Sequence, residues 1–169
     1  MNYFELLGLE LDFYINQNKL KEAYLVQQSK YHPDKFVNAD EASKNEALEK
    51  SILLNKAYDT LKSDVDRAGY LLELAGGKVN SDESFVDSPN MLFSVFEDIE
   101  QLESANSLVD LERLLKIASE DLRAYKSEFS LSYKFYNLIE AGIAYKKMIY
   151  KSKFILNIKS NMNKLAAVV

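Results

Sequence analysis

Three features of the sequence point to an all-α protein in two domains. Only two prolines and five glycines interrupt the 169 residues, which leaves little material for strands and turns. Apolar side chains recur at steps of three and four, the helical period, along most of the chain. The breakers are also clustered: Gly76, Gly77, Asn80, Ser81, Ser84, Ser88 and Pro89 fall between residues 76 and 89. That stretch reads as a linker between a first domain, 1–75, and a second, 90–169.

The first long helix starts near Asn16, a good N-cap, and runs through Leu20, Ala23, Tyr24, Gln27 and Tyr31 until Pro33 stops it. A second begins near Asp40 and places Ala47, Leu54, Ala57, Tyr58 and Leu61 on one face. Arg67 to Leu74 is a short apolar helix ended by Gly76-Gly77. In the second domain a helix spans about Asn90 to Ser104, and two long helices come after it. Their expected seams are Leu108, Leu111, Leu115, Ala118, Leu122, Tyr125 and Phe129, then Leu131, Phe135, Leu138, Gly142, Tyr145, Ile149, Ser152 and Leu156. Such spacing predicts a bundle of three helices packed at shallow angles.

Composition removes most chemistry. Without Cys there is no disulfide, thiolate metal site or cysteine nucleophile. A single His cannot build a histidine metal cluster. Twenty-six acidic against 21 basic side chains give a net charge of −5, which argues against a nucleic-acid partner. No stretch reaches the ~18–20 apolar residues of a membrane span, and the N-terminus lacks a basic region leading into an apolar run. The expectation is a cytoplasmic protein with no catalytic residues, no cofactor and no metal, because neither a nucleophile–base pair nor a phosphate-binding glycine loop is visible.

The lone histidine stands in Tyr31-His32-Pro33-Asp34-Lys35-Phe36, between the first two long helices. Pro33 ends the helix and stiffens the turn, so His32 and Asp34 are presented at a tip that loses little entropy on docking. Taken alone, the tripeptide is equally a helix-terminating turn in which His32 complements the helix dipole. Its context is more specific. His-Pro-Asp between two antiparallel helices resembles the J-domain, and the flanks agree: Tyr3-Phe4-Glu5-Leu6-Leu7-Gly8-Leu9 before it and Asn55-Lys56-Ala57-Tyr58-Asp59-Thr60-Leu61 after it. The resemblance implies a module, a helical hairpin with short flanking helices, that binds an Hsp70 chaperone and stimulates its ATPase through His32, Pro33 and Asp34. J-domains also carry a basic face before the motif. Here Lys19, Lys21, Lys30 and Lys35 are available, Lys30 and Lys35 nearest the motif, but Glu22 interrupts them and no Arg contributes. That departure implies weaker electrostatic steering.

The chain beyond the J-domain narrows the family. No Gly/Phe-rich region or zinc module appears, and Arg67-Ala68-Gly69-Tyr70-Leu71-Leu72 resembles the corresponding segment of the HscB family. The resemblance implies a co-chaperone that delivers an IscU-like iron–sulfur scaffold protein to a dedicated HscA-like Hsp70. Eukaryotic relatives carry a presequence and often a Cys-rich segment, so this chain is expected to be bacterial.

The helix after Pro89 carries an independent signal. Leu92, Val95, Ile99 and Leu102 make one apolar stripe suited to the bundle core, while Phe93, Phe96, Glu97 and Glu100 make another. In a three-helix bundle the second stripe is left exposed, as in a binding patch. The resemblance places scaffold binding on Leu92, Phe93, Phe96, Glu97 and Glu100, with Tyr150 from the last helix. Leu92 also fits the core stripe, Phe93 and Phe96 also suit a contact with the first domain, and Tyr150 equally suits a half-buried structural position. Two other readings stay open: a J-protein for a different client, and a helical adaptor in which His-Pro-Asp is only a turn.

Overall fold

The computed structural model describes residues 1–76 and 89–167. Among them are seven α-helices and no strand, as the breaker-poor sequence predicts. The chain divides into two compact units, Met1–Leu71 and Leu72–Val169. The linker expected at 76–89 lies, apart from its two ends, outside the described residues.

The first unit is built on α1 (Tyr3–Leu6), α2 (Gln17–Lys30), a 3-10 turn (Pro33–Phe36) and α3 (Glu41–Lys62), with α4 (Asp64–Leu74) running across the division. Each start has a local cause. Asn2 and Glu5 form a capping box on α1, Asn16 caps α2 as predicted, and the Asp40 carboxylate accepts the Ser43 N–H at 2.7 Å to start α3. Gly8 closes α1 with a left-handed φ of 63°, and the Leu9 N–H reaches back to the Phe4 carbonyl at 2.8 Å. The α2–α3 hairpin is zipped by a polar and aromatic seam: Tyr24 stacks on Tyr58 at 4.4 Å, and Tyr24 Oη and Gln28 Nε2 both donate to Asn55 Oδ1. Phe4, Leu7, Phe13, Leu20, Leu54, Leu61 and Leu71 fill the core around it.

The second unit rests on α6 (Leu108–Lys134) and α7 (Leu138–Ala166), an antiparallel pair along most of their length, with α5 (Pro89–Ser104) laid against them. The turn between α6 and α7 is tight because Tyr136 takes a left-handed φ of 58°. The Asn137 N–H then returns to the Ser132 carbonyl at 2.9 Å, and the Asn137 side chain caps α7. The residue that closes one helix therefore stands next to the one that opens the next.

The seam expected on α7 is displaced. Leu131 belongs to α6, and Leu131, Phe135 and Leu156 are exposed. The buried line instead runs through Ala141, Ala144, Met148, Lys151, Ile155 and Ile158, one residue out of phase with the expected one. α7 carries apolar residues on several sides, so periodicity offers more than one seam, and the small Ala141 and Ala144 let α6 approach closely. On α6 the expected Leu111, Ala118 and Phe129 are buried, whereas Leu108 is exposed.

Candidate functional site

The first candidate site is the tip of the α2–α3 hairpin. α2 ends at Lys30, and His32 takes the extended backbone required before a proline (φ −63°, ψ 129°). His32 caps the 3-10 turn that Pro33 opens: its Nδ1 accepts the Asp34 N–H at 3.3 Å, and its carbonyl accepts the Lys35 N–H at 3.0 Å. The same Nδ1 lies 3.5 Å from Asp34 Oδ2. His32 therefore caps the turn after it rather than complementing the dipole of α2. With the Asp34 N–H and the His32 carbonyl paired, the tripeptide still offers an imidazole about half exposed and a carboxylate 88% exposed. Lys30 and Lys35 flank it, both exposed, as are Lys19, Lys21 and the interrupting Glu22. Tyr31 is held from below by Lys50, whose Nζ sits 4.9 Å from the ring centroid.

The Arg67 segment explains how the hairpin is held upright. Arg67 is buried, with its Nε donating to the Phe13 carbonyl at 2.6 Å and its other nitrogens to the Leu61 carbonyl and the Asp64 carboxylate. Leu61 lies in the last turn of α3, where carbonyls have no partner within the helix, so the guanidinium caps α3 while it ties down the loop before α2. Tyr70 stacks on Tyr3 at 4.3 Å and accepts the Tyr3 N–H at 3.0 Å, and Ala68 and Gly69 are buried. The Arg-Ala-Gly-Tyr-Leu run is thus a structural staple.

The second candidate site is on α5. Phe93 and Phe96 are 68% and 61% exposed, and Glu97 and Glu100 are exposed beside them. Leu92 (40%) and Ile99 (44%), expected in the core stripe, are exposed too and widen the apolar face. The inward stripe is Val95, Asp98 and Leu102 instead, so a carboxylate takes the place expected for Ile99. α5 carries four acidic residues, Glu97, Asp98, Glu100 and Glu103, and no basic one. Its outer face is therefore apolar and negative. Tyr150 does not share that exposure. It is half-buried, stacks near Phe154 at 6.1 Å, and its Oη lies 3.4 Å from the Val95 carbonyl, to which it donates. Burial, then the neighbouring Asp98 carboxylate, pushes its hydroxyl far above the usual tyrosine range. It helps line a cleft of about 360 Å³ between the helices, with Met91, Val95, Tyr125, Ile143 and Lys147.

Sequence reasoning missed the charged cluster under this face. Lys151 of α7 is 2% exposed, and its Nζ meets Asp98 Oδ2 of α5 at 2.6 Å and Asp121 Oδ2 of α6 at 3.0 Å. Burial opposes its charge, but the hydrogen bonds to the two aspartates outweigh that and hold the amine above its ordinary range. The signal was present: Lys151 falls in step with Ala144, Met148, Ile155 and Ile158, and Asp98 in step with Val95 and Leu102. Charges at seam positions on two helices identify a pair. Among the described residues no group of His, Asp and Glu is arranged to hold a metal ion, and no helix is long and apolar enough to cross a membrane.

Comparison with known proteins identifies the family. The family pattern of the DnaJ domain matches residues 2–70. A Vibrio cholerae protein named "Co-chaperone protein HscB homolog" is 30% identical over 165 residues, covering 98% of this chain and 96% of that protein. The solved structure of chaperone HscB from Vibrio cholerae superposes with a TM-score of 0.86 at 28% identity, covering 98% of this chain and 99% of the other. The human co-chaperone HscB structure shares the fold at a TM-score of 0.84 and 24% identity, covering 100% of this chain and 84% of the other. The exposed His-Pro-Asp turn, the buried Arg67 staple and this full-length kinship lead to one conclusion: the chain belongs to the HscB family of J-domain co-chaperones, with the role in iron–sulfur cluster assembly that its sequence resemblance implied.

Proposed function

We propose that this protein is a non-enzymatic adaptor with two separable docking surfaces. The J-domain, 1–75, engages an HscA-like Hsp70 through His32, Pro33 and Asp34, with Lys30 and Lys35 adding a modest, salt-sensitive attraction. The bundle, 90–169, binds an IscU-like scaffold protein through Leu92, Phe93, Phe96, Glu97 and Glu100 of α5. Tyr150 contributes through its ring, since its hydroxyl is engaged by Val95. Carrying client and ATPase trigger on one chain, joined by a linker at 76–89, raises the effective concentration of each for the other without tight binding at either end. The setting is the bacterial cytoplasm. The iron–sulfur cluster is cargo of the scaffold, and no nucleic acid, membrane or cofactor takes part.

The observation that carries this reading is the pairing of an exposed, backbone-anchored His32–Asp34 turn in one unit with an exposed apolar and acidic helix face in the other. The test is steady-state ATP turnover by the HscA-like Hsp70 with the chain and the scaffold, separately and together. The expected result is stimulation greater than the sum of the two. Asp34→Asn should abolish it while leaving scaffold affinity unchanged. Additive stimulation, or loss of both functions in folded Asp34→Asn, refutes the two-surface reading.

A further inference from the structure

The outward face of α5 is set from its opposite side. On a helix advancing 100° per residue, Phe96 and Phe93 lie roughly 160° and 140° away from Asp98. Whatever holds Asp98 inward therefore turns both phenylalanines outward. Apolar contact does not fix that rotation well. The hydrophobic effect is non-directional, α5 is apolar on two sides, and a cleft of about 360 Å³ opens between Met91 and Val95 of α5 and Tyr125, Ile143 and Lys147 of α6 and α7. The polar contacts do fix it. Asp98 Oδ2 sits 2.6 Å from Lys151 Nζ, and Lys151 is already anchored in the α6–α7 pair by Asp121 at 3.0 Å. The Tyr150 hydroxyl adds a hydrogen bond to the Val95 carbonyl, one turn along α5. A buried ion pair is weak evidence of net stability, and its best-attested use is to specify one register among several that apolar packing would accept.

We propose that Lys151 and Asp98 form a positioning clasp that sets the rotation of α5 and so presents the Phe93–Phe96 face to the scaffold, an inference that rests on the scaffold-binding reading above. Asp121 orients the lysine but does not touch α5 through it, which gives a control that disturbs the same lysine without opening the clasp.

The experiment compares the full-length chain with Asp98→Asn and Asp121→Asn, each of which removes one of the lysine's two carboxylates. Two quantities are read: affinity for the purified IscU-type scaffold and hydrogen exchange of α5 amides relative to those of α6 and α7. Asp98→Asn should weaken scaffold binding at least about tenfold and speed exchange across α5 by a similar factor, with α6 and α7 unchanged. Asp121→Asn should stay within about twofold of the parent on both. Unchanged binding in Asp98→Asn, or equal losses in the two variants, overturns the clasp. If Asp98→Asn does not fold, Asp98→Glu decides, since it keeps the charge on a longer arm. A loss of at least threefold supports the clasp, and parental affinity refutes it. A parental chain that fails to bind the scaffold instead refutes the scaffold reading, and the exchange data then decide the clasp alone.

Discussion

Replacing Arg67 with Met tests the staple beneath the J-domain with little change in apolar volume. In the native chain the guanidinium is 2% exposed and serves three acceptors: the carbonyls of Phe13 and Leu61 and the carboxylate of Asp64. Met retains the apolar stem but supplies no donor, so two buried carbonyls lose their partner at about 1–3 kcal/mol each. The Asp64 side chain is about one-third exposed and rehydrates, so its share is small. The expected destabilisation is about 3–5 kcal/mol, the middle of the range to which two unsatisfied buried carbonyls sum. At roughly 1–2 kcal/mol per molar urea, the unfolding midpoint of the first unit falls by at least about 1.5 M. It can be monitored by circular dichroism together with the exchange of α2 and α3 amides. Arg67→Lys should recover less than half of the loss, because an ammonium cannot reproduce the planar fork. A loss below about 1 kcal/mol for Arg67→Met refutes the reasoning, since both carbonyls would then have found other partners or water.

Two further predictions address the binding face and acid stability. Phe93→Ala and Phe96→Ala should each weaken scaffold binding by about 1 kcal/mol or more, roughly fivefold, with the thermal midpoint nearly unchanged because both rings are exposed; calorimetric titration and a melt check the two halves. The Asp40 carboxyl is held below its ordinary range chiefly by the backbone N–H of Ser43. Its contribution is therefore present above the unfolded value of about 4 and lost as pH falls through the lower folded value. Asp40→Asn keeps a capping oxygen but cannot titrate, so it should flatten the loss of α3 stability as pH falls below about 4, read by hydrogen exchange or acid titration. An unchanged pH slope would sink the assignment.

The helical class, the approximate span of most helices and the position of the His-Pro-Asp turn were legible in the sequence because each is a local matter. Asn16 and Asp40 cap the helices they precede, Pro33 must end α2, and His32 before a proline must be extended. The residues also marked α5 as a helix with two apolar stripes and turned Phe93 and Phe96 outward, but they placed Leu92 and Ile99 in the core. Tertiary packing settled that Leu92 and Ile99 turn outward, that Asp98 turns inward, and that the α7 seam runs through Ala141, Met148 and Lys151 instead of Tyr145, Ile149 and Leu156. Arg67 was legible as part of a family signature, but its role as a cap for α3 depends on Leu61 and Phe13 converging on it. The difference has one physical reason. Caps and breakers act within a turn of chain, whereas the choice between two equally periodic stripes is made by close packing and by charges on other helices, and a buried lysine looks like surface until its two aspartates are brought to it.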